Sequence, residues 1–170
     1  MAYSIWLEFD EASTSLLRNE ISTLSVELGG PKFEPHMTLI GDIDLPVEAV
    51  VLLAEKFARC TLPSKLNIER VSTAQKYFMA IYLSVRIPEE FMSIRKRLSQ
   101  EVNSNGSPLD EPHVSLAYGN YAHDANRKVI SRLEKKFIGT NFDVRCLNIV
   151  QSSKRTPISE WKTIDTVEFS

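Results

Sequence analysis

The sequence predicts an α+β protein with largely antiparallel sheets. Strand-like and helix-like segments follow one another in the order β-α-β-α-β-β-α-β-α-β-β, and hairpin-length connections occur beside the helical ones. The composition is that of an ordinary globular protein, with 43% hydrophobic and 25% charged residues among 170. A chain of this length buries a core without disulfides, so we expect one domain over residues 1–170, built as a unit or as two intimate lobes.

The first part of the chain predicts two strands and two helices. Residues 3–9 are an apolar run suited to a strand. Asp10 is a good N-cap for the helix that follows, and Gly29 ends that helix. A short strand at about 36–41 leads to a second helix opened by Pro46. The apolar stripes of the two helices are Leu17, Ile21, Leu24 and Leu28, and Val50, Leu53, Ala54 and Phe57.

The middle of the chain predicts a hairpin and a third helix. Strands over 66–74 and 77–86 are expected to meet at a tight turn, Gln75-Lys76, although neither residue is a strong turn former. Pro88 begins the helix, with acidic residues in its first turn. The apolar stripe of this helix is Phe91, Ile94, Leu98 and Val102. The polar segment 103–108 is the most loop-like stretch, and we expect a mobile loop or lobe boundary there.

The last part predicts a strand, a helix and two more strands. A strand at about 113–118 precedes a helix from Asp124, and strands near 141–151 and 161–168 complete the chain. The inward side chains of that helix are Ile130, Leu133 and Phe137. Three basic clusters lie on predicted helices and are interpreted as solvated faces. They are Arg95-Lys96-Arg97, Arg127-Lys128 and Lys135-Lys136.

Charge and cysteine content argue against several classes of protein. The formal net charge of −2 disfavours a broad phosphate-binding surface, since such surfaces are strongly basic. No stretch approaches the ~20 apolar residues that span a bilayer, and the start lacks a signal-peptide pattern. Cys60 and Cys146 form no CxxC pair. We therefore expect two free thiols, a cytoplasmic location and no membrane partner.

A six-residue segment occurs twice, 77 residues apart. The copies read Glu34-Pro35-His36-Met37-Thr38-Leu39 and Glu111-Pro112-His113-Val114-Ser115-Leu116. Side chains two apart in a strand share a face, so each histidine points with the hydroxyl that follows it. The intervening residues Met37, Leu39, Val114 and Leu116 then face the core. If the halves pack about a pseudo-twofold axis, the two imidazoles meet across a cleft.

Two imidazoles and two hydroxyls are groups that can cleave or form a phosphodiester without a metal. With ordinary pKa values near 6.5, one imidazole acts as base and the other as acid, each worth about 10²–10⁴ in rate. The hydroxyls suit the nonbridging phosphate oxygens. A structural role for each histidine is a weaker alternative because the motif is paired. A zinc site completed by a carboxylate is also weaker, because CxxC and HExxH spacings are absent. His123 has no such partner and is interpreted as a surface residue.

The doubled motif resembles that of the 2H phosphoesterase superfamily, which carries one H-x-[ST]-x-hydrophobic motif in each half. The likeness is strongest to the cyclic phosphodiesterases of the plant and yeast type and covers nearly the whole chain. Segments that carry it beyond the motifs are Tyr3-Ser4-Ile5-Trp6, Arg70-Val71-Ser72-Thr73, Leu116-Ala117-Tyr118 and Glu160-Trp161-Lys162-Thr163-Ile164.

The resemblance implies a bilobal fold, with two pseudo-symmetric antiparallel sheets lining a central cleft and helices outside. It implies metal-free hydrolysis of ADP-ribose 1″,2″-cyclic phosphate, a by-product of tRNA splicing, and of nucleoside 2′,3′-cyclic phosphates, with no cofactor. By position, His113 is the base and His36 the acid. Thr38 and Ser115 are the phosphate-binding residues. We expect a monomer whose partner is a small cyclic phosphate.

Two aromatic residues match pocket positions of that family. The resemblance assigns Trp6 and Tyr118 to substrate binding, where a base stacks or a hydroxyl reaches phosphate. A core position for Trp6 is an equal alternative. The period of two places Tyr118 on the face opposite His113 unless the strand ends or twists before it. Trp161 is interpreted as a core residue.

Two other functions stay open. The 2′-5′ RNA ligase group shares both motifs and acts on RNA ends, but it usually has a basic residue soon after the second motif, where this chain has Ala117-Tyr118-Gly119. Together with the acidic balance, this favours a small cyclic nucleotide over RNA. A noncatalytic RNA-end-binding module is the other alternative, and two complete motifs argue against it.

Overall fold

A computed structural model describes residues 2–60, 63–102, 109–121 and 127–169. Within these ranges the chain forms seven strands and four α-helices in the predicted order. The strands are β1 (Tyr3–Phe9), β2 (Met37–Ile43), β3 (Lys65–Thr73), β4 (Ile81–Arg86), β5 (His113–Ala117), β6 (Asn141–Gln151) and β7 (Lys162–Glu168). The helices are α1 (Glu11–Leu28), α2 (Val47–Ala58), α3 (Glu89–Val102) and α4 (Arg127–Phe137).

The strands form one antiparallel sheet in two halves that share β6. The order is β2-β1-β6-β3-β4-β5, and β7 also pairs with β6. Residues 141–143 of β6 pair with β3, whereas 146–151 pair with β7. The strand β1 pairs along the other edge of β6. Just after β1, the N–H of Asp10 donates to the carbonyl of Asp143 on this same edge. The strands β3 and β7 therefore pair with successive parts of one edge of β6. The two halves of the sheet separate between these two strands.

Alternation along the strands separates the core from the cleft described below. In β1, Ile5, Leu7 and Phe9 belong to the core, whereas Ser4 and Trp6 line the cleft. The four motif residues predicted to face the core are fully buried, as expected: Met37, Leu39, Val114 and Leu116. The helices α1, α2 and α4 close the core with their predicted stripes.

The ends of α1 follow from its sequence. Asp10 accepts a hydrogen bond of 2.9 Å from the N–H of Ser13, the N-cap contact that was predicted. At the other end Gly29 has φ 77°, the left-handed conformation that glycine adopts without strain. The helix is also held to α4 through Glu20, which is 2% exposed. Its carboxylate accepts from Arg132 at 2.7 Å and from Lys136 at 2.5 Å.

The predicted tight turn between β3 and β4 is wrong. The chain instead takes a longer path through a 3₁₀ turn, Tyr77–Met79, closed by the N–H of Ala74 on the carbonyl of Met79. Gln75 and Lys76 do not favour the positive φ angles of a two-residue hairpin turn, so a wider connection forms. This detour carries Phe78 and Met79 into the cleft.

Three other predictions lie wholly or partly outside the described residues: the loop 103–108, the surface position of His123 and the helix start at Asp124. In the described part of the chain no helix is long and apolar enough to cross a membrane. Cys60 and Cys146 are both free thiols, as predicted, and Cys146 is buried.

Candidate active site

A cleft of about 560 Å³ collects residues from both halves of the sheet. All six residues predicted for the site line it: Trp6, His36, Thr38, His113, Ser115 and Tyr118. His36 lies just before β2 and His113 is the first residue of β5, which are the two ends of the sheet order. The two copies of the repeated segment, far apart in the chain, therefore meet at one cleft.

Each histidine ring is held in the same way. His36 Nδ1 lies 2.7 Å from the carbonyl oxygen of Glu34, and His113 Nδ1 lies 2.7 Å from that of Glu111. A carbonyl oxygen only accepts, so both Nδ1 atoms carry the hydrogen. In the neutral rings Nε2 is then the free base, and in a protonated ring Nε2–H is the acid. The Glu-x-His spacing in each copy thus fixes the tautomer that proton transfer needs.

The glutamates of the repeat are themselves anchored by arginines. Glu34 pairs with Arg18 at 2.6 Å, and Glu111 pairs with Arg70 at 2.6 Å. Glu111 also accepts from the Tyr82 hydroxyl at 2.6 Å. Exposed ion pairs of this kind are individually worth little, about 0–1 kcal/mol, but here each steadies the residue whose carbonyl holds a histidine.

The two imidazoles differ in their aromatic neighbours. The Trp6 ring stacks on His36 with centroids 3.6 Å apart and planes 5° from parallel. The Tyr82 ring instead meets His113 edge-on at 5.4 Å. Trp6 therefore belongs to the cleft, the pocket alternative of the sequence analysis, and it supports the ring of His36.

Burial lowers the pKa of both histidines. The pKa of His36 falls to about 4, because the ring loses its hydration and also lies near His113. Burial likewise lowers the pKa of His113, against an opposing effect from the carbonyl of Glu111 and the nearby acidic groups. In the free protein at neutral pH, both imidazoles are neutral and both Nε2 atoms are available as bases.

The two hydroxyls of the repeat are not equivalent. Ser115 Oγ donates to the carbonyl of Phe78 at 2.8 Å. Thr38 Oγ1 has no hydrogen-bond partner within the described ranges and reaches the cleft. Thr38 thus offers a free donor to the cleft, whereas Ser115 would have to release the carbonyl of Phe78 before donating to a ligand.

An aromatic group forms one wall of the cleft. Tyr118 is 3% exposed and stacks on Phe33 at 3.6 Å, while Phe78 meets it edge-on at 5.1 Å. Tyr118 lines the cleft because β5 ends at Ala117, which settles the conflict raised by the period of two. Burial raises the pKa of Tyr118, so its hydroxyl stays protonated. Trp161, interpreted as core, packs against the core but also lines the cleft.

Two residues that line the cleft, Phe78 and Arg95, were not predicted from the sequence. Phe78 comes from the 3₁₀ turn, for which the hairpin pattern gave no signal. Arg95 was assigned to a solvated face, and this is wrong: it is 2% exposed and lines the cleft, whereas Lys96 and Arg97 beside it are exposed. Its guanidinium is satisfied by main-chain carbonyls, which no local pattern reveals. Its position on the stripe of α3, between Phe91 and Leu98, was the available signal.

No group of three or more His, Cys, Asp or Glu side chains is placed to hold a metal ion in the ranges that the structure describes. What the cleft does offer is two imidazoles of fixed tautomer, a free hydroxyl and hydrogen-bonding groups around a space for an anion. These are groups suited to the chemistry of a phosphate ester.

The chain belongs to the 2′-5′ RNA ligase superfamily, whose family model matches residues 14–156. The resemblance to the 2H phosphoesterases is thereby confirmed, and with it the predicted class of enzyme, a phosphoesterase. A curated relative is the cyclic phosphodiesterase of Arabidopsis thaliana, 23% identical over 169 residues that cover 98% of this chain and 91% of the relative.

Solved structures share the fold. The protein TT0787 of Thermus thermophilus superposes with a TM-score of 0.64 and 14% identity, covering 99% of this chain and 98% of that chain. E. coli LigT in its apo form gives a TM-score of 0.62 with 12% identity, covering 99% and 97%. LigT has also been solved in complex with 3′-AMP and with phosphate. At these identities the likeness establishes the fold, and it confirms the predicted fold class.

Proposed function

We propose that this chain is a metal-independent cyclic phosphodiesterase that hydrolyses ADP-ribose 1″,2″-cyclic phosphate and nucleoside 2′,3′-cyclic phosphates to phosphomonoesters. The observation that carries the proposal is the pair of imidazoles in one cleft, each with Nδ1 on a carbonyl and Nε2 left for proton transfer. The superfamily and the cyclic phosphodiesterase relative support activity of this type. The choice of substrate and the mechanism are our proposal.

In the proposed reaction water attacks the phosphorus of the cyclic ester. His113 Nε2 takes the proton of that water as the new P–O bond forms, and His36 Nε2–H gives its proton to the ester oxygen as the ring P–O bond breaks. Thr38 and Ser115 donate hydrogen bonds to the nonbridging oxygens, which gain charge in the transition state. A second proton exchange with solvent returns both rings to their starting forms.

The cleft favours a small anionic ligand. Its volume of about 560 Å³ lies within the ~300–1,000 Å³ range of small-molecule sites. Its lining also includes Asp42, Asp44 and Asp110, and Lys154 is paired with Asp42 at 3.7 Å. Among the described residues this lining carries both carboxylates and cations, and it is not the extended basic surface that binds a polynucleotide backbone. LigT binds 3′-AMP and phosphate, small ligands of this kind.

Trp6 and Tyr118 are proposed to contact the substrate beside the phosphate. Trp6 offers part of its ring at the cleft, and Tyr118 forms the aromatic wall with Phe78. We also propose that residues 1–170 act as one domain of two intertwined lobes, which the shared strand β6 supports. A monomeric state and a cytoplasmic location stay predictions.

The test is hydrolysis of 2′,3′-cyclic AMP and ADP-ribose 1″,2″-cyclic phosphate by purified protein in EDTA. We expect full activity in EDTA and a loss of at least about 10²-fold in kcat for His36→Ala and for His113→Ala, because each removes one proton transfer. His123→Ala is the matched control and should retain wild-type kcat. Loss of activity in EDTA, or wild-type kcat in either motif variant, would contradict the proposal.

A second candidate function comes from the name of the superfamily, 2′-5′ RNA ligase. An RNA with a 2′,3′-cyclic end, offered beside the two small substrates, separates the functions. We expect the small cyclic phosphates to have the higher kcat/KM and phosphorus NMR to show a phosphomonoester product. A 2′-5′ linked RNA product, or preference for the RNA end, would favour the ligase. Binding without turnover would favour a noncatalytic module.

A further inference from the structure

Arg95 is a buried cation beside the cleft that the proposed reaction does not use. It is carried by α3, points inward with the apolar stripe of that helix and is 2% exposed. Its Nε donates to the carbonyl of Leu39 at 2.9 Å and one Nη donates to that of Thr38 at 3.2 Å. The other Nη donates to the carbonyl of Asp110 at 3.0 Å. Three main-chain oxygens thus satisfy one guanidinium.

These carbonyls belong to the two histidine segments. Thr38 and Leu39 lie in β2, directly after His36, and Asp110 lies three residues before His113. The strands β2 and β5 are at opposite ends of the sheet order, so no strand ladder ties one histidine to the other. Arg95 makes that connection through a single rigid, planar group. Its loss would leave the separation of the two rings to the packing of β2 against β5 and to longer routes through the sheet.

The positive charge of Arg95 forms no direct ion pair in the described ranges, and only the Asp110 carboxylate acts on it from a longer distance. Among the described residues, no carboxylate oxygen lies within 4 Å of it, and the nearby Asp110 carboxylate is paired with Lys76. Burial lowers the pKa of Arg95 to about 10, so the group remains a cation at neutral pH. Carbonyl dipoles disperse this charge without cancelling it. A cation in the cleft wall therefore favours an anion in the cleft.

We propose that Arg95 is a positioning residue of the active site: it holds the segments of His36 and His113 at a fixed separation and provides the positive charge that attracts the substrate phosphate. The inference rests on the proposed function for its kinetic consequence. Misplacing reacting groups by about 1 Å costs on the order of 10² in rate, which sets the expected effect.

The test compares Arg95→Lys and Arg95→Met with Arg97→Met, an exposed arginine on the same helix. The readouts are kcat and KM for 2′,3′-cyclic AMP, and the Kd for inorganic phosphate. In Arg95→Met we expect a loss of about 10²-fold in kcat and at least tenfold weaker phosphate binding. Arg95→Lys keeps the positive charge but not the planar guanidinium that bonds three carbonyls. Phosphate affinity should therefore recover to within about threefold of wild type, while kcat stays at least tenfold below wild type.

Wild-type kcat, within about threefold of Arg97→Met, in a folded Arg95→Met or Arg95→Lys protein overturns the proposal. If neither variant folds, the wild-type protein decides through the NMR signal of the Arg95 Nε–H. We expect that signal to be protected from exchange and to move on addition of phosphate. Rapid exchange like that of Arg97, with no response to phosphate, overturns the inference. Wild-type protein inactive on every cyclic phosphate contradicts the proposed function instead, and the phosphate and NMR measurements still test Arg95.

Discussion

Phosphate binding should change the protonation of His36, and the pH profiles of kcat and kcat/KM should therefore differ. In the free protein the pKa of His36 is about 4. Because this pKa is lowered, the ring is neutral at all higher pH values and only about one molecule in a thousand carries the proton at pH 7. The proposed acid is thus unprotonated before the substrate arrives.

The negative charge of the bound substrate should raise the pKa of His36. One negative charge about 4 Å from the ring, at an effective dielectric constant of about 20, stabilises the imidazolium by about 4 kcal/mol. Since about 1.4 kcal/mol corresponds to one pKa step, the pKa of His36 should rise by about three, from about 4 to about 7. We therefore expect His36 to take up a proton from solvent when the substrate binds.

The assay is kcat and kcat/KM between pH 4.5 and 9 in EDTA, with 2′,3′-cyclic AMP at saturating and subsaturating concentrations. The kcat/KM profile reports the free enzyme, and we expect its maximum below pH 6.5 with a fall at neutral pH, because both histidines have lowered pKa values. The kcat profile reports the complex, and its optimum should lie near pH 7. NMR of the imidazoles with and without sulfate checks the same rise directly.

Coincident kcat and kcat/KM profiles would refute this reasoning. So would a free-enzyme titration of His36 at pH 6.5 or above, since burial would then not govern its pKa. His36→Gln and His113→Gln assign the NMR signals, because each removes one titrating ring without adding charge.

Three further predictions follow from contacts of the site and the core. Thr38→Ala should lower kcat/KM about fivefold more than Ser115→Ala, because the serine hydroxyl must give up a hydrogen bond worth about 1 kcal/mol to reach phosphate; equal losses in steady-state kinetics would contradict this. Trp6→Leu should lower kcat about 3–10-fold, since it removes the stack on His36, and Trp6→Phe should recover part; an unchanged kcat in the leucine variant would exclude the supporting role. Glu20→Ala should destabilise by about 2 kcal/mol and lower Tm by about 4–8 °C in calorimetry with kcat unchanged, and a Tm within about 1 °C of wild type would contradict it.

The order of elements and the pairing of the two motif histidines in one cleft could be predicted from the sequence because both depend on local patterns. Apolar spacing identifies each helix and strand, and the repeated Glu-Pro-His segment identifies the two histidines wherever the chain takes them. The two ends of α1, at Asp10 and Gly29, could be predicted for the same reason, since a helix cap depends on only a few neighbouring residues.

The environment of the pair depends on distant contacts and could not be predicted. Arg95 belongs to a run of three basic residues, so a solvated face is the simpler interpretation, yet its partners are carbonyls from two remote segments. Phe78 and Trp161 reach the cleft through 3₁₀ turns, where no strand or helix period applies. The position of Tyr118 depends on where β5 ends, and strand ends are poorly specified by pattern.

A symmetric repeat raises the problem of how two like histidines acquire opposite roles. The carbonyl contact of Nδ1 is the same in both copies at 2.7 Å, so it fixes the tautomer without distinguishing the rings. The distinction comes from what each half adds: Trp6 stacks on the buried ring of His36, whereas the half-buried His113 has Tyr82 at its edge and acidic groups nearby that oppose the effect of burial. In the proposed mechanism, these contacts keep the first ring neutral until the substrate binds, and they leave the second neutral and able to accept the proton of water. In this mechanism, duplication thus supplies the reacting groups, and the divergence of their neighbours assigns acid and base.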